Sequence, residues 1–316
     1  MLVKNHIINL LDELENEKGI DFIVMTRSQA ENKLKNITNY YKVSCFKKNF
    51  IKIDSKYENL DFAALYNLYE FDVNLRECFL KMSLDLEHHL KKKIIYLIME
   101  SSNIKHISIY KRFNDYLLKK YENKKPTELF DSLFREVNIH HYDYPIYAKY
   151  GRNRTRGNLP IWVLMEKMMA NYLNEFLNFY VESSLPNYKY FIPATKYNYR
   201  NVIKIRNASA HNRPLLFDIC TLEGSVKRLP EHVKVRIKNK FEKESIEKIS
   251  DKIKNKKFID ILSLLYLYDL YVEDEKLKRL RIDELKNTVE QFRVHKHIYE
   301  RHTSLKELYS IFRQII

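Results

Sequence analysis

Glycine and proline are scarce, with 4 and 7 in 316 residues. Folds built from many tight turns depend on both, so their scarcity excludes glycine-punctuated sheet architectures and favours long helices. The expected fold class is all-α. Cysteine is as sparse. Cys45, Cys78 and Cys220 are odd in number, widely spaced and form no CxxC pair, which speaks against a disulfide framework or a cysteine zinc site and suits a reducing cytoplasm. Long apolar runs are missing too: the longest, FIDILSLLYLYDLYV from Phe258, carries Asp260 and Asp269 and is too short to span a bilayer. The N-terminal stretch MLVKNHIINLLDELENEKG mixes acids among helically spaced apolar residues and so lacks the unbroken apolar core of a signal peptide. No repeat with a period of roughly 20–50 residues is visible, which argues against a solenoid. The expectation is a cytoplasmic protein with no membrane contact.

Acidic residues are the remaining shortage. Against 56 Lys and Arg stand 41 Asp and Glu, a net charge of +15 and a pI near 9.4, which favours polyanionic partners such as nucleic acid. Lysine greatly outnumbers arginine, and Asn, Ile and Tyr are abundant, a bias that AT-rich codons alone produce, so charge by itself is a weak guide. No acidic cluster has the pattern of a two-metal nuclease, and no cofactor or metal site is expected. At 45% apolar residues the chain has ample material for a core.

The clearest helix is expected from about Leu65 to Glu100. Leu68, Leu75, Phe79, Met82, Leu86, Leu90, Ile94 and Leu97 recur at spacings of three, four or seven and share one face. Asp72 lies on that stripe four residues before Arg76, and Glu87 lies four before Lys91, so each acid can neutralise its base on the next turn. A second helix is expected from Pro160, with Trp162, Met169, Leu173, Leu177 and Tyr180 on one of two apolar stripes. Glu166 falls on that stripe and would need a donor or a proton if buried. Between these helices, YGRNRTRGN places Arg152, Arg154 and Arg156 in a glycine-flanked loop suited to phosphate contacts. From residue 221 onward the chain breaks at Gly224 and Pro230 and reads as a helical extension with a cationic face. His295, His297 and His302 there lack the acidic or cysteine partners of a metal site.

KIRNASAHNRPL, residues 204–215, holds the most suggestive chemistry. On a helix capped by Thr195, Tyr199, Val202, Ile203, Arg206 and Ala210 share a face, so Arg206 points inward. Asn207 and His211 are neighbours one turn apart, and the amide can orient the imidazole. Arg206 and His211 stand about 140° apart on an ideal helix, so one phosphate is not easily reached by both unless a second copy of the chain contributes. Ala208, Ser209 and Ala210 are small enough to admit another helix. An arginine with a histidine near its ordinary pKa suits metal-free RNA cleavage: the histidine moves protons between the ribose 2′-hydroxyl and the leaving 5′-oxygen, and the arginine meets the charge on phosphorus. Spacing alone is weak evidence, for Arg135 and His140 repeat it.

These segments resemble the Abi-like proteins of bacterial abortive phage infection, of the AbiD and AbiF type, within the HEPN superfamily. The resemblance runs through NYYKVSCFKKNF (residues 39–50), the helix carrying Asp72, Arg76 and Glu87, the segment LPIWVLMEKM with Trp162 and Glu166, and IRNASAHNRPL (residues 205–215). It implies a HEPN-type helical bundle with additional N-terminal and C-terminal helices. Residues 1–220 would be the Abi-like domain, its N-terminal part about 1–56 and its core about 57–220, and residues 221–316 an extension. It further implies an endoribonuclease toxin with Arg206, Asn207 and His211 as catalytic residues, working as a homodimer. Arg152, Arg154, Arg156 and Arg213 would bind RNA, while Asp72, Arg76, Glu87, Trp162 and Glu166 would support the site. A small RNA or a protein would act as antitoxin. The competing expectation is a non-catalytic, basic helical module that binds RNA or a partner protein.

Overall fold

Long helices are what so little glycine and proline permits, and they dominate the chain. The computed structural model describes residues 2–102, 105, 108–121, 131, 133–134, 136–151, 159–195, 198–221, 225–240, 251–299 and 301–316. Its principal helices are α1 (Leu2–Asp12), α2 (Arg27–Asn36), α3 (Tyr40–Ser44), α4 (Phe62–Met99), α5 (Ser108–Lys120), α6 (Ile161–Lys167), α7 (Ala170–Glu182), α8 (Asn198–Ala210), α9 (Glu231–Lys240), α10 (Lys256–Tyr271), α11 (Glu275–Val294) and α12 (Thr303–Ile315). The strands described are two residues each: Ile20–Asp21 pairs in parallel with Leu60–Asp61, and Lys52–Ile53 pairs antiparallel with Lys56–Tyr57. The fold is all-α.

The chain divides into two compact units, one made of Met1–Leu84 with Lys204–Ile316 and the other of Asp85–Ile203. In the first unit the N-terminal half of α4 is buried, with Leu68, Leu75, Phe79 and Met82 fully covered. The C-terminal helices are part of this core: Phe71 of α4 stacks on Phe292 of α11 at 4.3 Å and meets Phe312 of α12 edge-on at 5.5 Å. Helices α11 and α12 thus share the hydrophobic core of α4 in the first unit. Asn49 ties the ends together, its amide donating to the Leu216 carbonyl at 2.8 Å and its Oδ1 accepting from the Cys220 N–H at 3.0 Å. All three cysteines are free, and burial pushes the Cys45 and Cys220 thiols up to about 12.

In the second unit, α5 packs on α7 through aromatic contacts, with Phe113 edge-on to Phe176 at 5.0 Å. The helix expected from Pro160 is two helices, α6 and α7, because Met168 and Met169 both adopt extended backbone. Lys91 of α4 marks that break, donating to the Met168 carbonyl at 2.6 Å while paired with Glu87 at 2.7 Å. The break uncouples the two halves of the expected stripe. Leu173, Leu177 and Tyr180 are buried, whereas Trp162, Glu166 and Met169 are exposed, so Glu166 meets water and needs no buried donor.

Candidate active site

Helix α8 ends in a way that determines where its last side chains point. The His211 N–H bonds back to the Asn207 carbonyl at 3.0 Å, keeping His211 in the last turn. Asn212 then takes a left-handed conformation, φ 53°. The Asn212 N–H reaches the Ser209 carbonyl at 3.1 Å and the Arg213 N–H reaches the Ala208 carbonyl at 2.8 Å. This pair of bonds is a Schellman motif, which satisfies the orphan carbonyls of a helix end; asparagine tolerates the left-handed position better than other residues with a Cβ because its short polar side chain can hydrogen-bond locally. Pro214 follows and prevents the helix from resuming.

The chain beyond this cap is held by α4. Asp72 is completely buried; one carboxylate oxygen accepts the N–H groups of Leu215 and Leu216, each at 2.7 Å, and the other accepts from Arg76 Nε at 2.7 Å. Arg76 donates a further short bond to the side-chain oxygen of Asn212. Burial pushes the Asp72 carboxyl up, and Arg76 and the two amides pull against that shift. The helical spacing of Asp72 and Arg76 was readable in sequence. Their function as a clasp for residues 212–216 was not, since it pairs groups more than 130 residues apart. Asn212 was missed altogether, and its only signal is an asparagine just before Arg-Pro.

Arg206 lies one turn before the cap and is half-buried. Its Nη1 donates to Asn207 Oδ1 at 3.2 Å, so the Asn207 side chain holds the guanidinium. Arg206 Nε is shielded from solvent and has no acceptor among the described residues. His211 is exposed. With the helical bond to Asn207 intact, the wide angular separation of Arg206 and His211 expected of a helix is retained. The small-residue stretch is only partly open: Ser209 is buried, Ala208 is half-buried and Ala210 is exposed.

Arg213 is exposed and lines a cleft of about 220 Å³ with Lys204, Ala208, Pro214, Lys257 and Asp260. Lys204 pairs with Asp260 at 3.1 Å, and burial raises the Asp260 carboxyl to about 6 against the pull of Lys204. Lys257 is lowered by burial, although it bonds Asp218 and lies over the Phe217 ring. Arg152, Arg154, Arg156 and Arg135 lie outside the described residues. Glu87, Trp162 and Glu166 belong to the second unit, where Glu87 pairs with Lys91 and Trp162 meets Tyr150 edge-on at 5.7 Å. Of the C-terminal histidines, His302 packs edge-on against Phe50 at 4.8 Å.

The model of the family described as Abi-like protein matches residues 32–216. The chain belongs to the Abi-like family. The match covers more than half of the chain and ends at Leu216, the last residue whose backbone Asp72 holds. It takes in Asp72, Arg76, Glu87, the Trp162 to Glu166 segment and the whole of Arg206 to His211. Membership supports a role in abortive infection defence. No curated protein and no solved structure matches the Abi-like chain. None of its described helices is long and apolar enough to cross a membrane.

Proposed function

We propose that this Abi-like protein is a metal-independent endoribonuclease of the HEPN type, acting in the cytoplasm as a toxin in abortive infection. The observation that carries the reading is the state of Arg206. A guanidinium that keeps a buried Nε–H without an acceptor is costly to fold, because the desolvated donor gets nothing in return. An arriving phosphate oxygen supplies the missing acceptor, and charge-assisted bonds of this kind strengthen as charge builds on phosphorus. His211, exposed at the end of the same helix, is free to meet substrate. It takes the 2′-hydroxyl proton or donates one to the 5′-oxygen, leaving a 2′,3′-cyclic phosphate and a 5′-hydroxyl.

Asn207 holds the guanidinium in place as a positioning residue. Because Arg206 and His211 point in different directions from one helix, the proposed enzyme is a homodimer whose two copies of the motif face a shared RNA. Arg213, and the arginines 152, 154 and 156, would contact flanking phosphates, and a small RNA or a protein would hold the toxin inactive. Substituting Arg206→Ala while following RNA cleavage and thermal unfolding tests the assignment. Cleavage falling at least a hundredfold with an unchanged melting temperature supports it. A large drop in melting temperature with unchanged activity per folded molecule rejects it in favour of the structural, non-catalytic module.

A further inference from the structure

The cleft beside Arg213 belongs to the first unit, and its interior is mostly carbon. Ile205, Ala208, Pro214, Leu215 and Ile261 line it, with charged groups standing around them. At about 220 Å³ it is smaller than the roughly 300–1,000 Å³ that encloses a whole small molecule. It has room for one large apolar side chain, the kind of anchor around which a protein interface is built.

Most of the charges at its rim are already paired. Lys204 meets Asp260 at 3.1 Å, and Lys257 bonds Asp218 and the Phe217 carbonyl. Lys257 and Lys48 both lie over the Phe217 ring, 3.1 and 5.8 Å from its centroid, which leaves it little face for a base to stack on. Arg213 is the rim cation that is exposed and has no ion pair among the described residues. One unpaired cation beside an apolar hole suits a carboxylate next to an apolar side chain; a nucleic-acid strand, with a phosphate on every nucleotide, calls for several. The net charge of +15 draws an acidic partner toward such a surface. The cleft also adjoins the histidine motif. Lys204, Ala208 and His211 follow one another at spacings of four and three and so share one stripe of α8, on which His211 is exposed.

We propose that this cleft docks an acidic protein partner: one side chain of leucine or phenylalanine size fills it, a flanking carboxylate pairs with Arg213, and the bound segment covers His211. The carboxylate takes the place of the phosphate that Arg213 would meet in RNA, so the partner is an inhibitor of the site. Docking stands on the cleft alone, whereas inhibition rests on the cleavage reading.

Anisotropy of two labelled nonapeptides on the full chain measures the docking, each with four glutamates on either side of a central leucine or a central serine. The serine peptide reads the general attraction of a basic chain for acid. The leucine peptide is expected to bind about ten- to a hundredfold tighter, the gain from burying one such side chain. Arg213→Glu is expected to weaken the leucine peptide at least about tenfold more than the serine peptide, and Ala208→Leu, which fills the cleft, to erase the difference between the two. Arg213 is exposed, so Arg213→Glu is expected to keep the parent's melting temperature and carries the test if Ala208→Leu does not fold. The leucine peptide should also slow RNA cleavage by the parent in step with its occupancy; saturation without slowing overturns the inhibition. A parent that binds the peptide but cleaves no RNA rejects the cleavage reading and leaves the docking standing. Equal affinity for the two peptides, or a leucine preference that survives both substitutions, overturns the docking. So does a folded Ala208→Leu chain that keeps the leucine preference but loses affinity for a single-stranded RNA octamer or changes its sedimenting mass, since the cleft would then belong to RNA or to a second copy of the chain.

Discussion

Replacing Asp72 by alanine is the sharpest perturbation of the clasp that holds the histidine motif. The side chain is fully buried and meets three donors: Arg76 Nε and the N–H groups of Leu215 and Leu216. Its removal strands the Arg76 charge at a site where that residue is only 5% exposed, and breaking a buried pair from one side costs about 3–5 kcal/mol. Two desolvated backbone donors lose their acceptor as well, at roughly 1 kcal/mol or more each. These terms overlap, so about 4 kcal/mol is the expected loss, a large part of the roughly 5–15 kcal/mol that stabilises a folded domain. Arg76→Met in the Asp72→Ala background removes the stranded charge and is expected to restore part of the loss. The coupling between the two sites should fall within about 0.5–3 kcal/mol, the range for residues in direct contact. Urea unfolding of the full chain, followed by circular dichroism for parent, single and double variants, measures all of these values. A loss below about 1 kcal/mol for Asp72→Ala, or a double variant no more stable than it, would refute the reasoning.

Three further outcomes follow from other contacts. Asn212 has φ 53°, so Asn212→Ala should be less stable than Asn212→Gly by about 1 kcal/mol, since both lose the bond from Arg76 but only alanine is strained there; thermal unfolding of the pair measures the difference. Burial lowers His232 to about 4, with its Nε2 2.8 Å from the Ser263 hydroxyl. The unfolded chain takes up this proton near pH 6.5, before the native state does, so stability is full above that pH and declines as pH falls toward 4. Between pH 6.5 and 5 the loss is about 2 kcal/mol, and urea unfolding at pH 7 and pH 5 should show it shrinking by that amount in His232→Leu. Arg213→Ala should reduce the slope of log affinity against log salt for single-stranded RNA by about 0.7, the contribution of one phosphate contact; an unchanged slope across a salt titration removes Arg213 from the interface.

What could be read from sequence divides along physical lines. Helix α4 was expected from about Leu65 to Glu100 and spans Phe62–Met99, because a long stripe at helical spacing has no competing solution. The i, i+4 order of Asp72 and Arg76 was visible for the same local reason. The two amides that share Asp72 were not, since nothing local links α4 to residues 215 and 216. The break between α6 and α7 carries no glycine or proline, and Met168 and Met169 are good helix formers, so tertiary packing overrode propensity there. The end of α8 was legible from Pro214, whereas the left-handed Asn212 that closes it needed the backbone. The Arg206 to His211 chemistry was suggested by the family resemblance more than by charge or spacing, yet the Nε of Arg206 without an acceptor among the described residues, the strongest support for a phosphate there, appears only once its neighbours are in place. The packing of α11 and α12 against Phe71 of α4 was equally hidden, because amphipathic helices announce that they must be covered but not by what.

The central claim is metal-free cleavage of RNA through His211. Incubating purified full-length protein with RNA in EDTA, and mapping the ends formed by the parent and by His211→Ala, tests it most directly. The account predicts 2′,3′-cyclic phosphate and 5′-hydroxyl ends from the parent, with at least a hundredfold loss in a variant that keeps the parent's melting temperature. Equal cleavage by the folded variant, or no cleavage by the parent over the range of RNAs and pH tried, would contradict it.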